Sequence, residues 1–163
     1  MTAQATQTRA TPAPDFATHD TLTVPDGFRR WDARSGFGLL LGPVYLHESR
    51  PIAAMRVDAR HLNVQDIAHG GFLAALADSA YGYIFRRDLP DILPRTVHLS
   101  VDYLAAVQPG DWLEAHVDFV RRGKRLTNGT CRLMVGDRVV LQTTAVFSTV
   151  RREAVRPVVS LAS

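Results

Sequence analysis

The chain has 163 residues, 46% hydrophobic and 21% charged, the composition of one soluble domain long enough to bury a core. Its single cysteine, Cys131, excludes an intramolecular disulfide and any cysteine-based metal cluster. A net charge of +3 and a pI near 9.5, carried almost wholly by arginine, permit an anionic ligand without arguing for nucleic acid.

Residues 1–25 are rich in Thr, Ala and Pro and lack apolar periodicity, so a flexible N-terminal segment is expected there. No apolar signal-peptide core is visible in it, and the cytoplasm is the expected compartment. Phe28 to Phe37, with Trp31 and several charges, is expected to form a short packed turn or helix. Leu39 to Glu48 and Pro51 to Val57 read as two strands around a Glu-Ser-Arg-Pro turn.

Asn63 to Phe85, NVQDIAHGGFLAALADSAYGYIF, follows as a polar loop running through Gly70-Gly71 into the longest apolar segment. Its alanine content and lack of proline predict a helix, too short and too rich in small residues for a membrane span. Pro90 and Pro94 require it to stop near Arg87. Asp78 is the one charge between Phe72 and Phe85. A charge in a buried helix is costly unless paired, so Asp78 belongs to a subunit seam, to a hydrogen-bonded core position, or to a site. Phe72, Tyr81 and Tyr83 are spaced as core residues, although they could also shape a pocket.

Thr96 to Tyr103 alternates, with Val97, Leu99, Val101 and Tyr103 on one face. Trp112 to Val120 alternates again after a Pro109-Gly110-Asp111 turn. Leu126–Val135 and Arg138–Val150 complete the strands, joined at Gly136-Asp137. Residues 153–163 read as a frayed tail. The expected fold class is α+β, an antiparallel sheet of five to six strands wrapped around one long central helix within residues 26–152. A helix apolar on nearly every side needs cover from more than one direction, which predicts at least a dimer.

Asn63 stands six residues before His69-Gly70-Gly71, and Asp78 nine residues after the histidine, on a helix between the second and third strands. With the Thr96–Tyr103 strand and its Pro-Gly-Asp turn, this pattern resembles the hotdog-fold acyl-CoA thioesterases of the phenylacetic-acid-degradation type, over roughly residues 35 to 150. Asp66 departs from the family pattern, which often has glycine there. The resemblance implies hydrolysis of an acyl-CoA or aryl-acyl-CoA thioester. Asp78 would be nucleophile or general base, and the Gly70 N–H the oxyanion donor. Asn63 and His69 would orient water and shape the site, with Gly71 and Thr96 at the substrate. Loop and glycines of one subunit would face the carboxylate of another, in a homodimer or a homotetramer built as a dimer of dimers.

Each of these residues also has a plainer reading: a hydrogen-bonded core aspartate, a tight turn, a loop histidine, a turn asparagine, a solvent-facing threonine. Arg121, Arg122, Lys124 and Arg125 read either as a solvated hairpin or as contacts to coenzyme A phosphates. No cofactor, metal, nucleic acid or membrane partner is expected; coenzyme A would enter as part of the substrate. Two other functions stay open: an enoyl-thioester hydratase or dehydratase on the same fold, and a non-catalytic acyl-CoA-binding protein.

Overall fold

A computed structural model describes residues 23–32 and 36–151. Its elements in chain order are β1 (Phe28–Trp31), α1 (Gly36–Leu41), β2 (Val44–His47), β3 (Ile52–Arg56), α2 (Gly70–Asp88), β4 (Ile92–Tyr103), β5 (Trp112–Arg122), β6 (Leu126–Val135) and β7 (Arg138–Arg151). A single turn of 3-10 helix, Ala59–His61, lies between β3 and α2. All strands join one sheet in the order β1-β2-β3-β5-β6-β7-β4, and every pairing is antiparallel. The expected flexible N-terminus, apart from residues 23–25, and the expected tail lie outside the described residues.

The α+β expectation of one helix against one antiparallel sheet holds, with seven strands rather than five to six. The additional strand is β1, where a turn or short helix was expected; it pairs with β2 from Phe28↔His47 to Trp31↔Val44. The expected strand from Leu39 is shorter than predicted. Its first residues end α1, Gly42 turns the chain at φ +98°, and strand geometry starts only at Val44. The third expected strand starts earlier, at Ile92, and runs through Pro94. Proline is tolerated there because β4 pairs on one side only, at the sheet edge.

Helix α2 holds the core together. Phe72, Leu73, Leu76, Ala77, Ala80, Tyr81, Ile84 and Phe85 are buried along one stripe at helical spacing. They meet Met55 of β3, Leu113 and Ala115 of β5, Leu133 of β6, and Leu141 and Phe147 of β7. The Tyr81 hydroxyl lies 3.0 Å from Thr143 Oγ1, and burial holds its phenol well above the ordinary tyrosine range. Burial likewise pushes the Cys131 thiol up to about 12, so this cysteine is an inert core residue. Where Tyr81 meets the sheet, only glycine fits: a Cβ on Gly129 would lie 2.8 Å from Tyr81 Cε1.

One side of this apolar helix is only partly covered by the chain itself. Ala74, Ala75, Asp78, Ser79, Gly82 and Tyr83 are only half-buried. The face carrying Asp78 is therefore the one this chain leaves partly uncovered. At the far end, Arg87 Nη1 donates to the carbonyls of His47 at 2.8 Å and Arg50 at 2.7 Å, tying the last turn to the β2–β3 connection. Among the described residues, no helix is long and apolar enough to cross a membrane.

Candidate active site

The loop before α2 is pinned by its backbone. Leu62 bridges Ala68, the Ala68 N–H donates to Val107 O at 2.9 Å, and the His69 N–H donates to His61 O at 2.7 Å. Asn63 builds the turn itself, as its Oδ1 accepts the Gln65 N–H at 2.8 Å. Its amide nitrogen has no partner among the described residues and stays available to a ligand. Asp66, at the position where the resemblance expects glycine, has φ +57°, and it is the one described non-glycine residue with positive φ. The loop thus keeps the left-handed turn that glycine would make, using a residue that tolerates it.

His61 supports this loop from below. It is buried and stacked on Phe72 at 4.0 Å. Nδ1 accepts the Asp58 N–H at 2.9 Å, and Nε2 donates to Leu41 O at 2.8 Å, which fixes the neutral ring. Desolvation pushes its pKa down from the usual histidine value. Sequence reasoning passed over His61, because burial of a lone histidine leaves no periodic signal.

His69 is the N-cap of α2, and its Nδ1 accepts the Gly71 N–H at 2.9 Å. With Nδ1 occupied as an acceptor, the proton of the neutral ring sits on Nε2. The same ring explains Gly71, where a Cβ would lie 3.0 Å from Nδ1 and 3.1 Å from Cε1 of His69. Gly71 is thus occupied with capping, and its N–H is not open to substrate. The Gly70 N–H, by contrast, has no acceptor among the described residues, as expected for the first residue of a helix. It points its donor out of the positive end of α2, where negative charge is favoured.

Asp78 is half-buried on α2, and the Thr96 hydroxyl donates to its Oδ1 at 2.9 Å. Thr96 can reach it because β4 carries a register shift between Thr96 and His98. The bulge corrects the expected alternation. Val97 falls out of step and is 62% exposed, while Thr96 turns toward the helix with Leu99 and Val101. Tyr103, expected as an apolar-face residue, is 55% exposed and donates its hydroxyl to Gly70 O at 3.0 Å.

Not all the expected site residues come together. Asn63, His69, Gly70 and Gly71 cluster at the start of α2. Asp78 lies eight residues further on, about 12 Å along the axis at the usual helical rise. One thioester carbonyl cannot touch both groups within one chain. Arg121, Arg122, Lys124 and Arg125 are all exposed at the β5–β6 turn. Arg122 lies 5.0 Å over the ring of Phe119, which packs on Phe85 near the opposite end of α2 from Gly70.

The model of the thioesterase superfamily matches residues 65–145, which carry the end of the loop, α2, β4, β5, β6 and the first half of β7. A putative esterase of Pseudomonas aeruginosa is 35% identical over 131 residues, spanning 77% of this chain and 97% of that protein. Among solved structures, a mutant of the phenylacetic acid degradation protein PaaI from Thermus thermophilus is 28% identical at a TM-score of 0.56, over 64% of this chain and 90% of its own. A hypothetical thioesterase of Streptococcus pneumoniae, solved with coenzyme A, has a TM-score of 0.57 over 61% of this chain and 80% of its own; at 23% identity it shows the fold alone. The family match over the loop, helix and strands, the 35% identical relative and the similar solved fold agree, and the chain belongs to the thioesterase superfamily, with its hotdog fold.

Proposed function

We propose that this protein hydrolyses acyl-CoA or aryl-acyl-CoA thioesters at a site shared between two copies of the chain. The observation that carries this reading is the open Gly70 N–H at the start of α2. Gly71 donates to His69, which leaves Gly70 as the one glycine donor free for a thioester oxygen. As the carbonyl carbon becomes tetrahedral, its oxygen gains negative charge, and a fixed N–H at a helix N-terminus stabilises that charge. Asp78 of the other copy either takes a proton from the attacking water or attacks the carbonyl itself. In the second route water cleaves the resulting anhydride. In both, the C–S bond breaks, coenzyme A leaves as its thiol, and water supplies the carboxylate oxygen.

The helical spacing supports the shared site. A two-fold arrangement of α2 against a second α2 brings Asp78 of one copy to Gly70 of the other, twice per dimer. The half-buried face of small residues around Asp78 allows the close approach this needs. Pairing of such dimers into tetramers belongs to the same proposal. Thr96 orients the carboxylate, and the free amide of Asn63 is placed to hold water or the thioester oxygen. The Arg121–Arg125 turn is the candidate for the coenzyme A phosphates; Streptococcus pneumoniae's structurally similar thioesterase binding coenzyme A supports that ligand class.

Thiol release from a panel of acyl- and aryl-CoA thioesters, by wild type and by Asp78→Asn, tests the reading. Release by the wild type and loss of at least about a hundredfold in the variant is expected. A wild type that binds these thioesters and releases no thiol rejects the hydrolase. A fully active Asp78→Asn rejects the role of Asp78.

A further inference from the structure

The carbonyl of Gly70 and the N–H of Gly71 belong to one planar peptide unit. Both of its polar ends are held by side chains. Tyr103 of β4 donates its hydroxyl to the carbonyl at 3.0 Å, and His69 accepts the N–H at 2.9 Å. The Tyr103 ring also fills the space beside Gly70, where a Cβ would lie 3.2 Å from Cε1 and 3.4 Å from Cζ. Holding that plane restrains Gly70, the residue type with the widest rotational freedom, from its C-terminal side, while the peptide that carries the Gly70 N–H is held at its carbonyl end, where His69 O accepts the Leu73 N–H at 3.1 Å. No hydrogen bond from the Gly70 N–H to a described residue helps to hold it.

We propose that Tyr103 is a positioning residue for the oxyanion donor. Its hydroxyl locks the Gly70–Gly71 peptide so that the Gly70 N–H stays aimed at the developing oxyanion. The inference rests on the thioesterase reading and adds a residue to it. A donor stabilises a transition state only to the extent that it is already in place when charge develops. The Gly70 N–H makes no hydrogen bond of its own, so its aim depends on the restraints on the two peptides that flank Gly70: the Leu73 N–H on His69 O before it and the Tyr103 hydroxyl on Gly70 O after it. Edge strand β4 supplies such a restraint twice over: Thr96 holds Asp78, and Tyr103 holds Gly70. The two polar groups of the site are thereby set by one strand, whose bulge puts both side chains on the helix-facing side. Because Tyr103 is more than half exposed, it contributes little to the core, and its hydroxyl can be removed without unfolding the chain.

Tyr103→Phe keeps the ring and deletes the hydroxyl. With any thioester the wild type turns over, kcat is expected to fall about tenfold, while KM stays within about twofold and Tm is unchanged. A trifluoromethyl ketone analogue of the acyl-CoA, held as its tetrahedral adduct, is expected to bind about tenfold more weakly to the variant, while coenzyme A itself binds as to the wild type. A merely structural tyrosine would weaken both ligands together or lower Tm. Wild-type kcat in Tyr103→Phe, or equal weakening of analogue and coenzyme A, overturns the inference while leaving the thioesterase intact. A wild type that releases no thiol from any thioester overturns the thioesterase reading and this inference with it.

Discussion

Replacing Thr96 by valine separates two roles for a residue at the edge of the site. Thr96 Oγ1 donates to Asp78 Oδ1 at 2.9 Å, so the proposed mechanism gives the side chain the role of orienting the carboxylate, against the expected role of a substrate contact. A hydrogen bond to a charged group contributes about 1.5–3 kcal/mol when well shielded, and the exposure of Thr96 brings this to about 1 kcal/mol. Applied to the transition state, that is about fivefold in kcat. Thr96 buries no side-chain surface in the core, so the change in stability is expected within about 0.5 kcal/mol. Thiol release over a range of substrate concentrations reads kcat and KM separately, and a thermal melt reads stability. A fall in kcat at constant KM and Tm is expected. Unchanged kcat with a raised KM would make Thr96 a substrate contact and refute the reasoning.

Three further tests address the frame around the site. Gly129→Ala drives a Cβ to 2.8 Å from the buried Tyr81 ring and 3.1 Å from Asp118 O, so a loss of about 2 kcal/mol, or roughly 6 °C in Tm, is expected by calorimetry. An unchanged Tm would show that Tyr81 can move aside. Asp66→Gly relieves a left-handed residue at φ +57° and is expected to raise stability by roughly 0.5 kcal/mol with kcat unchanged; a lower Tm would mean that Asp66 does more than tolerate the turn. His61 tests the pH dependence. Burial holds its folded-state pKa below the usual 6.5, so the unfolded chain takes up a proton that the folded chain resists. Its stabilising neutral form is fully present above that value, and stability is lost as pH falls through 6.5 toward the folded pKa. Tm measured from pH 7.5 downward should drop on the acid side, and His61→Gln, though less stable throughout, should drop less. Parallel curves for the two proteins would contradict this.

Much of this arrangement was legible in the sequence because it has a period or a motif. The apolar run after Gly70-Gly71 could only be a helix ended by the following prolines, and the later strands alternate with turn residues between them. The resemblance carried the glycine pair and Asp78. Local breaks of pattern were not legible. The bulge at Val97, which turns Thr96 toward Asp78, inserts one residue into an otherwise even alternation and leaves no trace in composition. Strand β1 was hidden because four residues with two arginines carry too short a pattern, and pairing with β2 decides their conformation. The duties of His61 and Tyr103 come from contacts to backbone carbonyls distant in sequence, which no spacing rule encodes. From sequence His69 reads equally as a loop or a site residue; its ring caps the helix, and that capping leaves Gly70 rather than Gly71 as the open glycine donor.

The site shared between two copies can be tested by subunit complementation. Asp78→Asn removes the carboxylate, and Gly70→Pro removes the N–H at a first-turn position where proline is tolerated. The exposed Tyr103 ring, which a Gly70 side chain would meet at 3.2 Å, has room to yield. Each variant alone is expected to be inactive. After exchange of subunits in equal amounts, half of the dimers are mixed and each holds one intact site, so about one quarter of wild-type thiol release is expected. Mixtures that stay inactive after demonstrated subunit exchange would contradict a site built from Gly70 of one copy and Asp78 of the other.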